Sequence, residues 1–426
     1  MKKVLIIAYY FPPMGLSGVQ RTLKFAKYLP SYHWKPTVLT VAPTGYLAKD
    51  LSLLQEAEES EVEVVRSKTL DPTRLFRKHN VVSLPPEFVR KTLNRISQVF
   101  FIPDNKIGWK SRARKTAEHL LRKEKFDIIF ATAPPYTDFL IGVELKKKFN
   151  IPLVLDYRDA WVDYPYHFYL TPIHRWLHVR FERKVLESSD KVVVVNRRIK
   201  ELLLRRYPFL RYDDIVTISQ GFDPADFQFE PDTQLPKSNR MRFTYSGTFI
   251  DDVTPKYFLR ALRKVLDEHP RLRGRIEACF IGHFRNENLR IVTRLGLEKD
   301  VKIIKYLDHR ESVKYLLASD VLWLMIGKGK GMDTRSTGKL FEYIGARKPI
   351  LGCVQDGVVK ETILKSGAGV VVDAEDFVAM SAAIKDFYDQ FEKRKLKSPD
   401  DNFVANYDRV RLTADLAKIF ELLSHG

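Results

Sequence analysis

The sequence has few cysteines and no long hydrophobic run. Cys279 and Cys353 are the only cysteines among 426 residues, which excludes a disulfide scaffold and a cysteine-rich metal site and favours a reducing cytoplasm. No segment approaches the ~18–20 consecutive apolar residues that a membrane-spanning helix needs. The apolar residues 4–10 lack a small-residue cleavage site, so we interpret them as a buried first strand rather than a signal peptide.

Two common nucleotide-binding signatures are also missing. The chain contains neither GxGxxG in the dinucleotide-binding context nor the phosphate loop GxxxxGK[ST]. A binding site for a nicotinamide cofactor is therefore unsupported, and the sequence predicts no cofactor. We also predict no metal ion, because we interpret the adjacent carboxylates of Asp251 and Asp252 as part of a surface loop.

Acidic residues are outnumbered by basic ones, 53 against 72, which gives a formal net charge of +19. The excess lies in the first half, where residues 72–125 hold 14 basic and 4 acidic residues. Aromatic residues are interleaved with the basic ones over 74–125 and 164–184. Such a surface attracts an acidic membrane, nucleic acid or a phosphorylated acceptor. The alternative is a solvated basic surface whose aromatic residues belong to the core.

The chain is about twice an ordinary domain in length, and both halves alternate apolar strands with amphipathic helices. Buried strands separated by helices predict parallel sheets covered on both faces, which is the α/β class with two Rossmann-like domains. A turn-rich stretch over 219–224 indicates the boundary. We therefore predict domains at 1–218 and 219–406, with a closing helix at 407–426.

The first candidate binding loop, residues 11–21, directly follows the first strand. Gly15 and Gly18 permit close approach of a ligand to the backbone, and the start of the next helix favours an anion. A strand-to-helix turn without a ligand explains the same pattern.

The second candidate loop, residues 327–349, is glycine-rich and leads from a strand into a helix. Ser336 or Thr337 is expected at the N-cap, with Lys339 in the first turn. Glu342 lies three residues further on, so both charged side chains can point to one side of the helix. A cation there suits a diphosphate and a carboxylate suits ribose hydroxyls, although a surface ion pair would show the same spacing.

The segment 336–350 resembles the nucleotide-sugar-binding segment of family 4 glycosyltransferases, which have the GT-B fold. Residues 9–18, 156–161, 219–223 and 245–248 resemble further segments of that family, in the same order along the chain. The resemblance implies two Rossmann-like domains facing a cleft. The acceptor would bind residues 1–218, and the nucleotide sugar would bind residues 219–406.

The resemblance also implies roles for individual residues. Glu342 would hold the donor ribose, Lys339 and Arg335 would stabilise the leaving diphosphate, and Asp159 is a further catalytic candidate. The remaining donor-binding candidates are Gly247, Thr248, Thr334, Ser336, Thr337 and Gly338, and the candidates lining the cleft on the acceptor side are Gly15, Gly18 and Arg158. The sequence departs from the family pattern at two places. Thr334 replaces the first glutamate of the family's E-x7-E pattern, and residues 156–159 occupy the place where many members have a histidine.

The expected function is transfer of a sugar, with retention, from a nucleotide-diphosphate sugar to a lipid-linked or cell-envelope polysaccharide acceptor. The expected location is cytoplasmic and peripheral on the inner face of the cell membrane, with an anionic membrane surface as partner and no specific nucleic acid. One alternative is a basic membrane- or nucleic-acid-binding protein with a decayed donor site. Another is a nucleotide-sugar enzyme of the same fold that isomerises or hydrolyses its substrate.

Overall fold

The computed structural model describes residues 1–15, 17–44, 49–71, 87–249 and 251–425. The chain divides into a first unit, Met1–Gln220 with Arg409–Gly426, and a second unit, Gly221–Asp408. Part of the basic segment, including Arg74, Phe76, Arg77 and Lys78, lies outside the described residues. Both cysteines are buried free thiols.

The first unit contains a parallel sheet in the order β3-β2-β1-β4-β5-β6-β7. Its strands are β1 (Lys2–Ile7), β2 (Trp34–Val41), β3 (Glu63–Ser67), β4 (Ile128–Ala133), β5 (Leu153–Tyr157), β6 (Lys191–Val194) and β7 (Ile215–Thr217). The order reverses between β1 and β4, so the connections on either side of this point diverge and leave a crevice at the carboxyl ends of these two strands.

Helices cover both faces of this sheet. They are α1 (Ser17–Tyr28), α2 (Leu51–Glu59), α3 (Glu87–Phe100), α4 (Ile107–Lys123), α5 (Thr137–Phe149), α6 (Pro172–Ser188) and α7 (Arg197–Arg206). The last helix of the chain returns to the same unit, because Phe420 packs edge-on against Trp34 and Phe130 at centroid distances of 5.3 and 5.6 Å.

The second unit repeats this arrangement in a parallel sheet with the order β10-β9-β8-β11-β12-β13. Its strands are β8 (Met241–Ser246), β9 (Ile276–Ile281), β10 (Val301–Ile304), β11 (Val321–Met325), β12 (Ile350–Cys353) and β13 (Gly369–Val372). The helices that follow α7 along the chain are α8 (Lys256–Glu268), α9 (Asn286–Arg294), α10 (His309–Leu317), α11 (Gly338–Gly345), α12 (Val358–Lys365), α13 (Phe377–Glu392), α14 (Asp401–Ala405) and α15 (Arg409–Ser424). The order of this sheet reverses between β8 and β11.

These two parallel sheets, each flanked by helices, confirm the predicted α/β class with two Rossmann-like domains. The buried runs behind this prediction are real core, since residues 4–7 of β1 and all of β9 and β11 are buried. None of the helices in the described part of the chain combines the length and hydrophobicity that crossing a bilayer requires.

Candidate functional site

The donor-side candidates lie at the point where the strand order of the second sheet reverses. β8 ends at Ser246 and continues into Gly247, while β11 ends at Met325 and leads through the glycine-rich loop to α11. Ligands of open α/β sheets bind at this kind of crevice, outside the carboxyl ends of the strands. The segment 245–248 and the second candidate loop, residues 327–349, therefore meet at one edge of this sheet.

Gly247 and Lys339 are in direct contact, although 92 positions separate them. A Cβ atom added to Gly247 would overlap the Cε atom of Lys339, and the Nζ atom lies 5.2 Å from the centroid of the Tyr245 ring. Gly247 has a φ of +141°, a conformation that side-chain-bearing residues rarely adopt. In the described part of the chain Lys339 pairs with no carboxylate, so its charge remains available to an anion.

The N-terminus of α11 lies beside this lysine and is not capped by a side chain. Thr337 occupies the N-cap position, as expected, but its hydroxyl makes no capping hydrogen bond. The Ser336 hydroxyl is buried and has no hydrogen-bond partner among the described residues. Gly338 opens the helix, so unpaired amide groups and the positive end of the helix dipole remain next to Lys339.

Glu342 belongs to a chain of polar contacts that sequence reasoning missed. Its Oε1 atom lies 3.7 Å from Nδ1 of His309, and Nε2 of the same histidine lies 2.9 Å from Oδ2 of Asp226. All three side chains are largely buried, at 13%, 9% and 14% exposure. The imidazole therefore stands between two carboxylates and restrains the orientation of Glu342. No sequence motif links these residues, because they come from α11, α10 and the turn after the unit boundary.

The other donor-side candidates line the same loops. Thr334, at the position of the missing glutamate, is buried and donates its hydroxyl to the carbonyl oxygen of Gly331 at 2.8 Å. Arg335 follows directly and is half-buried. Thr248 is also half-buried, and its carbonyl oxygen accepts a hydrogen bond from Tyr245 at 3.5 Å. The structure thus places Thr334 and Arg335 on the approach to α11 and Thr248 next to Gly247.

In the first unit, Arg158 connects three segments at the point where the strand order reverses. Its guanidinium donates to the carbonyl oxygens of Gly18, Pro134 and Ala133, joining the start of α1 to the end of β4. Burial lowers the pKa of Arg158, while the nearby carboxylates of Asp156 and Asp159 oppose that shift. Arg158 and Gly18 are therefore brought together, and the arginine holds the backbone of both segments in place.

Asp156, from the same segment, forms a buried ion pair that sequence reasoning also missed. Its carboxylate accepts hydrogen bonds from Arg21 Nη2 at 2.8 Å and from the Thr132 hydroxyl at 2.8 Å. Arg21 also donates to the carbonyl oxygens of Ile218 and Ser219 at 3.0 and 2.7 Å. The pair therefore ties α1 to β4, β5 and the residues that follow β7, which gives Asp156 a structural role.

A buried carboxyl group, Asp138, lies beside the end of β1. Its Oδ2 atom accepts a hydrogen bond from the backbone of Tyr9 at 2.9 Å, while Oδ1 is buried without a hydrogen-bond partner among the described residues. Burial raises the pKa of Asp138 well above its ordinary value. Gly15 is buried in the loop between β1 and α1, and Asp159 is half-buried just after Arg158. The four candidates of this unit are Gly15, Gly18, Arg158 and Asp159. They lie at the edge of the first sheet formed by the carboxyl ends of its strands, which we call its polar edge.

We expect Gly247→Ala to weaken binding of a nucleoside diphosphate about tenfold, because the new methyl group displaces Lys339. It should also cost about 1–2 kcal/mol of stability for the unfavourable φ. Gly274→Ala is the matched control, since Gly274 has a φ of +71° with nothing within 4 Å of an added Cβ. Calorimetric titration should show weaker binding for the Gly247 variant alone. Equal affinities in both variants would contradict a role for this contact in binding.

Known proteins share part of this sequence and the fold of the chain. Residues 45–226 match the sequence model described as Glycosyltransferase Family 4. The resemblance to family 4 glycosyltransferases is confirmed over these residues. The match covers most of the first unit and ends just past the boundary at Gly221, so the family 4 segment contains β3 to β7 and excludes α11. No curated protein matches the chain at a significant level.

Solved structures extend the similarity over nearly the whole length of the chain. A glycosyltransferase from Rickettsia africae is 15% identical, with a TM-score of 0.65 and coverage of 99% of this chain and 98% of that one. Anabaena HepE, solved in complex with UDP-glucose, is 14% identical, with a TM-score of 0.64 and coverage of 99% and 100%. A Listeria monocytogenes protein described as a putative UDP-N-acetylglucosamine 2-epimerase is 15% identical, with a TM-score of 0.56 and coverage of 98% and 95%. These similarities confirm the predicted GT-B fold.

Proposed function

We propose that this protein transfers a sugar from a nucleotide-diphosphate sugar to a lipid-linked or cell-envelope polysaccharide acceptor, with retention of anomeric configuration. The observation that carries the proposal is the site at the start of α11. There a lysine with no carboxylate partner among the described residues, an uncapped helix N-terminus and a glycine backbone converge, with Glu342 one turn further along. Together these groups match the diphosphate and ribose of a nucleotide.

The proposed chemistry follows from where negative charge develops. As the bond between the sugar and the diphosphate lengthens, charge accumulates on the leaving phosphate oxygens. Lys339, the amide groups at the start of α11 and Arg335 neutralise that charge without a metal ion or a cofactor. Glu342, restrained by His309, accepts hydrogen bonds from the ribose hydroxyls and fixes the nucleotide in position. Asp159 and Arg158 would act on the acceptor side, Arg158 by shaping the loop at Gly18.

The similarity to HepE, whose structure contains UDP-glucose, supports a nucleotide sugar as donor. The basic first unit supports an acceptor held at an anionic surface, and we place the protein on the inner face of the cell membrane. Lys and Arg near such a surface contribute about 1 kcal/mol each, screened by salt. Nucleic acid would bind by charge alone, without sequence preference.

A second candidate function is isomerisation of the nucleotide sugar. The shared fold with the Listeria protein, which is described as a putative UDP-N-acetylglucosamine 2-epimerase, favours this alternative. The two functions are distinguished by incubating the protein with a nucleotide sugar and analysing the products. Release of nucleoside diphosphate that depends on an acceptor supports transfer, whereas an isomeric nucleotide sugar formed without an acceptor supports isomerisation.

The donor site is tested by Glu342→Ala. Loss of the carboxylate that accepts ribose hydroxyls should weaken binding of a nucleoside diphosphate about 10- to 100-fold, since hydrogen bonds to charged groups contribute about 1.5–3 kcal/mol. Thermal stability should change little. Glu268→Ala is the control, because Glu268 is half-exposed on α8 and pairs with Lys264 at the helix surface. Unchanged nucleotide affinity in the Glu342 variant would contradict the assignment.

A further inference from the structure

The first unit exposes a group of large apolar side chains on two neighbouring elements. Phe88, Val89, Leu93, Ile96 and Phe100 of α3 are 42–81% exposed, as are Leu170, Ile173 and Trp176 around the start of α6 at 54–66%. A soluble surface rarely gathers so many large apolar side chains, and contiguous exposed apolar patches mark interaction sites.

The apolar side chains of α3 form one face of the helix. Val89, Leu93, Ile96 and Phe100 are spaced by four, three and four residues, which places them along one stripe. The helix contacts the rest of the unit on another side. Gln98 accepts a hydrogen bond from the backbone of Phe168 at 2.6 Å and donates to Tyr166, and Arg95 stacks on the Phe168 ring. On a helix, Gln98 lies about 170° from the centre of the apolar stripe, so that stripe faces away from the packing contact.

The same contacts bring α3 next to α6, since residues 166–168 lead directly into Pro172. Within residues 88–100 and 164–181, which are bordered by Glu87, Asp163 and Glu182, the charged residues are of one sign only. Residues 88–100 and 164–181 contain five basic residues, Arg90, Lys91, Arg95, Arg175 and Arg180, and no aspartate or glutamate. Arg180 lies over the ring of Trp176 at 5.3 Å. An apolar stripe bordered by arginine and lysine matches the interface of an anionic bilayer.

We propose that α3 and the start of α6 insert into the interfacial layer of an anionic bilayer. The apolar stripe enters the acyl boundary, and the five basic side chains contact phosphate groups at the surface. The inference rests on the proposed membrane location. Electrostatic attraction alone would explain that location, and the inference adds that apolar side chains are buried in the lipid. This orientation would hold the polar edge of the first sheet near an acceptor with a lipid anchor.

The tryptophans provide a built-in probe of insertion. The chain has five, and Trp34, Trp109, Trp161 and Trp323 are at most 1% exposed, whereas Trp176 is 54% exposed. A change in emission on adding vesicles therefore reports Trp176. With vesicles of phosphatidylcholine and phosphatidylglycerol, we expect a blue shift and quenching by brominated lipid. Trp176→Phe should abolish both signals while the protein still cosediments with the vesicles.

The apolar contribution is tested by Leu93→Ser combined with Ile96→Ser. Burial of each side chain in lipid is expected to contribute about tenfold to vesicle partitioning, so the double variant should partition about 10- to 100-fold more weakly. Leu51→Ser combined with Leu422→Ser is the matched control, because those leucines are 59% and 73% exposed elsewhere on the same unit. Charge reversal at Arg90, Lys91 and Arg95 should lower the fraction bound at low salt. Higher salt should lower that fraction too, without removing the blue shift of the protein that remains bound.

Three outcomes would overturn the inference. Cosedimentation without a blue shift would show adsorption by charge alone, which leaves the proposed location and the proposed transfer intact. No binding to anionic vesicles would remove both insertion and the membrane location, while nucleotide binding, measured separately, would still test the donor site. Self-association seen by light scattering that only the Leu93/Ile96 variant abolishes, with vesicle binding unchanged, would show that this face contacts a second copy.

Discussion

Replacing Lys339 with alanine is expected to lower turnover about 10²- to 10³-fold, the cost of removing one group that stabilises a developing oxyanion. The side chain lies against Gly247 and beside the uncapped start of α11, and it has no carboxylate partner in the described part of the chain. We therefore expect its charge to act on the diphosphate of the donor. Binding of a nucleoside diphosphate should fall about tenfold or more, whereas binding of the bare nucleoside should remain unchanged.

Three measurements separate this role from a structural one. Lys385→Ala is the control, because Lys385 is similarly shielded on α13 but pairs with Asp389 at 2.5 Å. Lys339→Arg should restore part of the diphosphate affinity, because the charge is kept while its geometry changes. Equal losses for the nucleoside and the nucleoside diphosphate in Lys339→Ala would mean that the lysine supports the fold.

The largest effect on stability is expected for Asp156→Ala, at about 3–5 kcal/mol. Asp156 and Arg21 are both buried, at 0% and 1% exposure, so removing the carboxylate leaves a buried guanidinium without its counter-charge. The Thr132 hydroxyl also loses its acceptor. Urea unfolding followed by circular dichroism should show the lower free energy of unfolding. The midpoint for the first unit should move to a lower urea concentration.

Two comparisons make this measurement decisive. Asp415→Ala removes an exposed partner of Lys418 on α15 and should cost less than about 1 kcal/mol. Arg21→Met combined with Asp156→Leu should recover part of the loss, because neither charge is then left alone in the core. If Asp156→Ala unfolds at the same urea concentration as Asp415→Ala, the pair does not support the first unit.

The buried strands were the part of the fold most accessible from sequence. β9 and β11 are buried along their whole length, and fully buried strands form unbroken apolar runs that are visible in the sequence. The edge strands β3 and β7 went unpredicted. In β3 only Ser67 is buried, and β7 has three residues, so neither carries an apolar run. These strands form because each pairs with a neighbouring strand, β3 with β2 and β7 with β6. Local periodicity does not show which strands are neighbours in a sheet.

Some residues of the donor site could be predicted from the sequence, but their arrangement in space could not. Local pattern identified Lys339 and Glu342, and the family resemblance added Gly247, whereas their meeting depends on β8 and β11 being neighbours in the sheet. His309 escaped prediction because a single histidine at a helix start carries no signal without its tertiary partners. Arg158 was predicted to line a cleft, and the structure shows it holding carbonyl groups of three residues. Tertiary packing decides which residues are free to contact a ligand and which hold the loops in place. Arg158 and Gly18, for example, are 140 positions apart in the sequence.

The most direct test of the proposed function is a thermal-shift panel of nucleosides, nucleoside diphosphates and nucleotide sugars on the full chain. A selective nucleoside diphosphate at ~100-fold above its dissociation constant should stabilise the protein by about 2.7 kcal/mol. Its nucleotide sugar should also stabilise the wild-type protein, and Lys339→Ala and Glu342→Ala should each lose most of the shift. Stabilisation by no nucleoside diphosphate, or shifts that survive in both variants, would contradict a donor site at the start of α11.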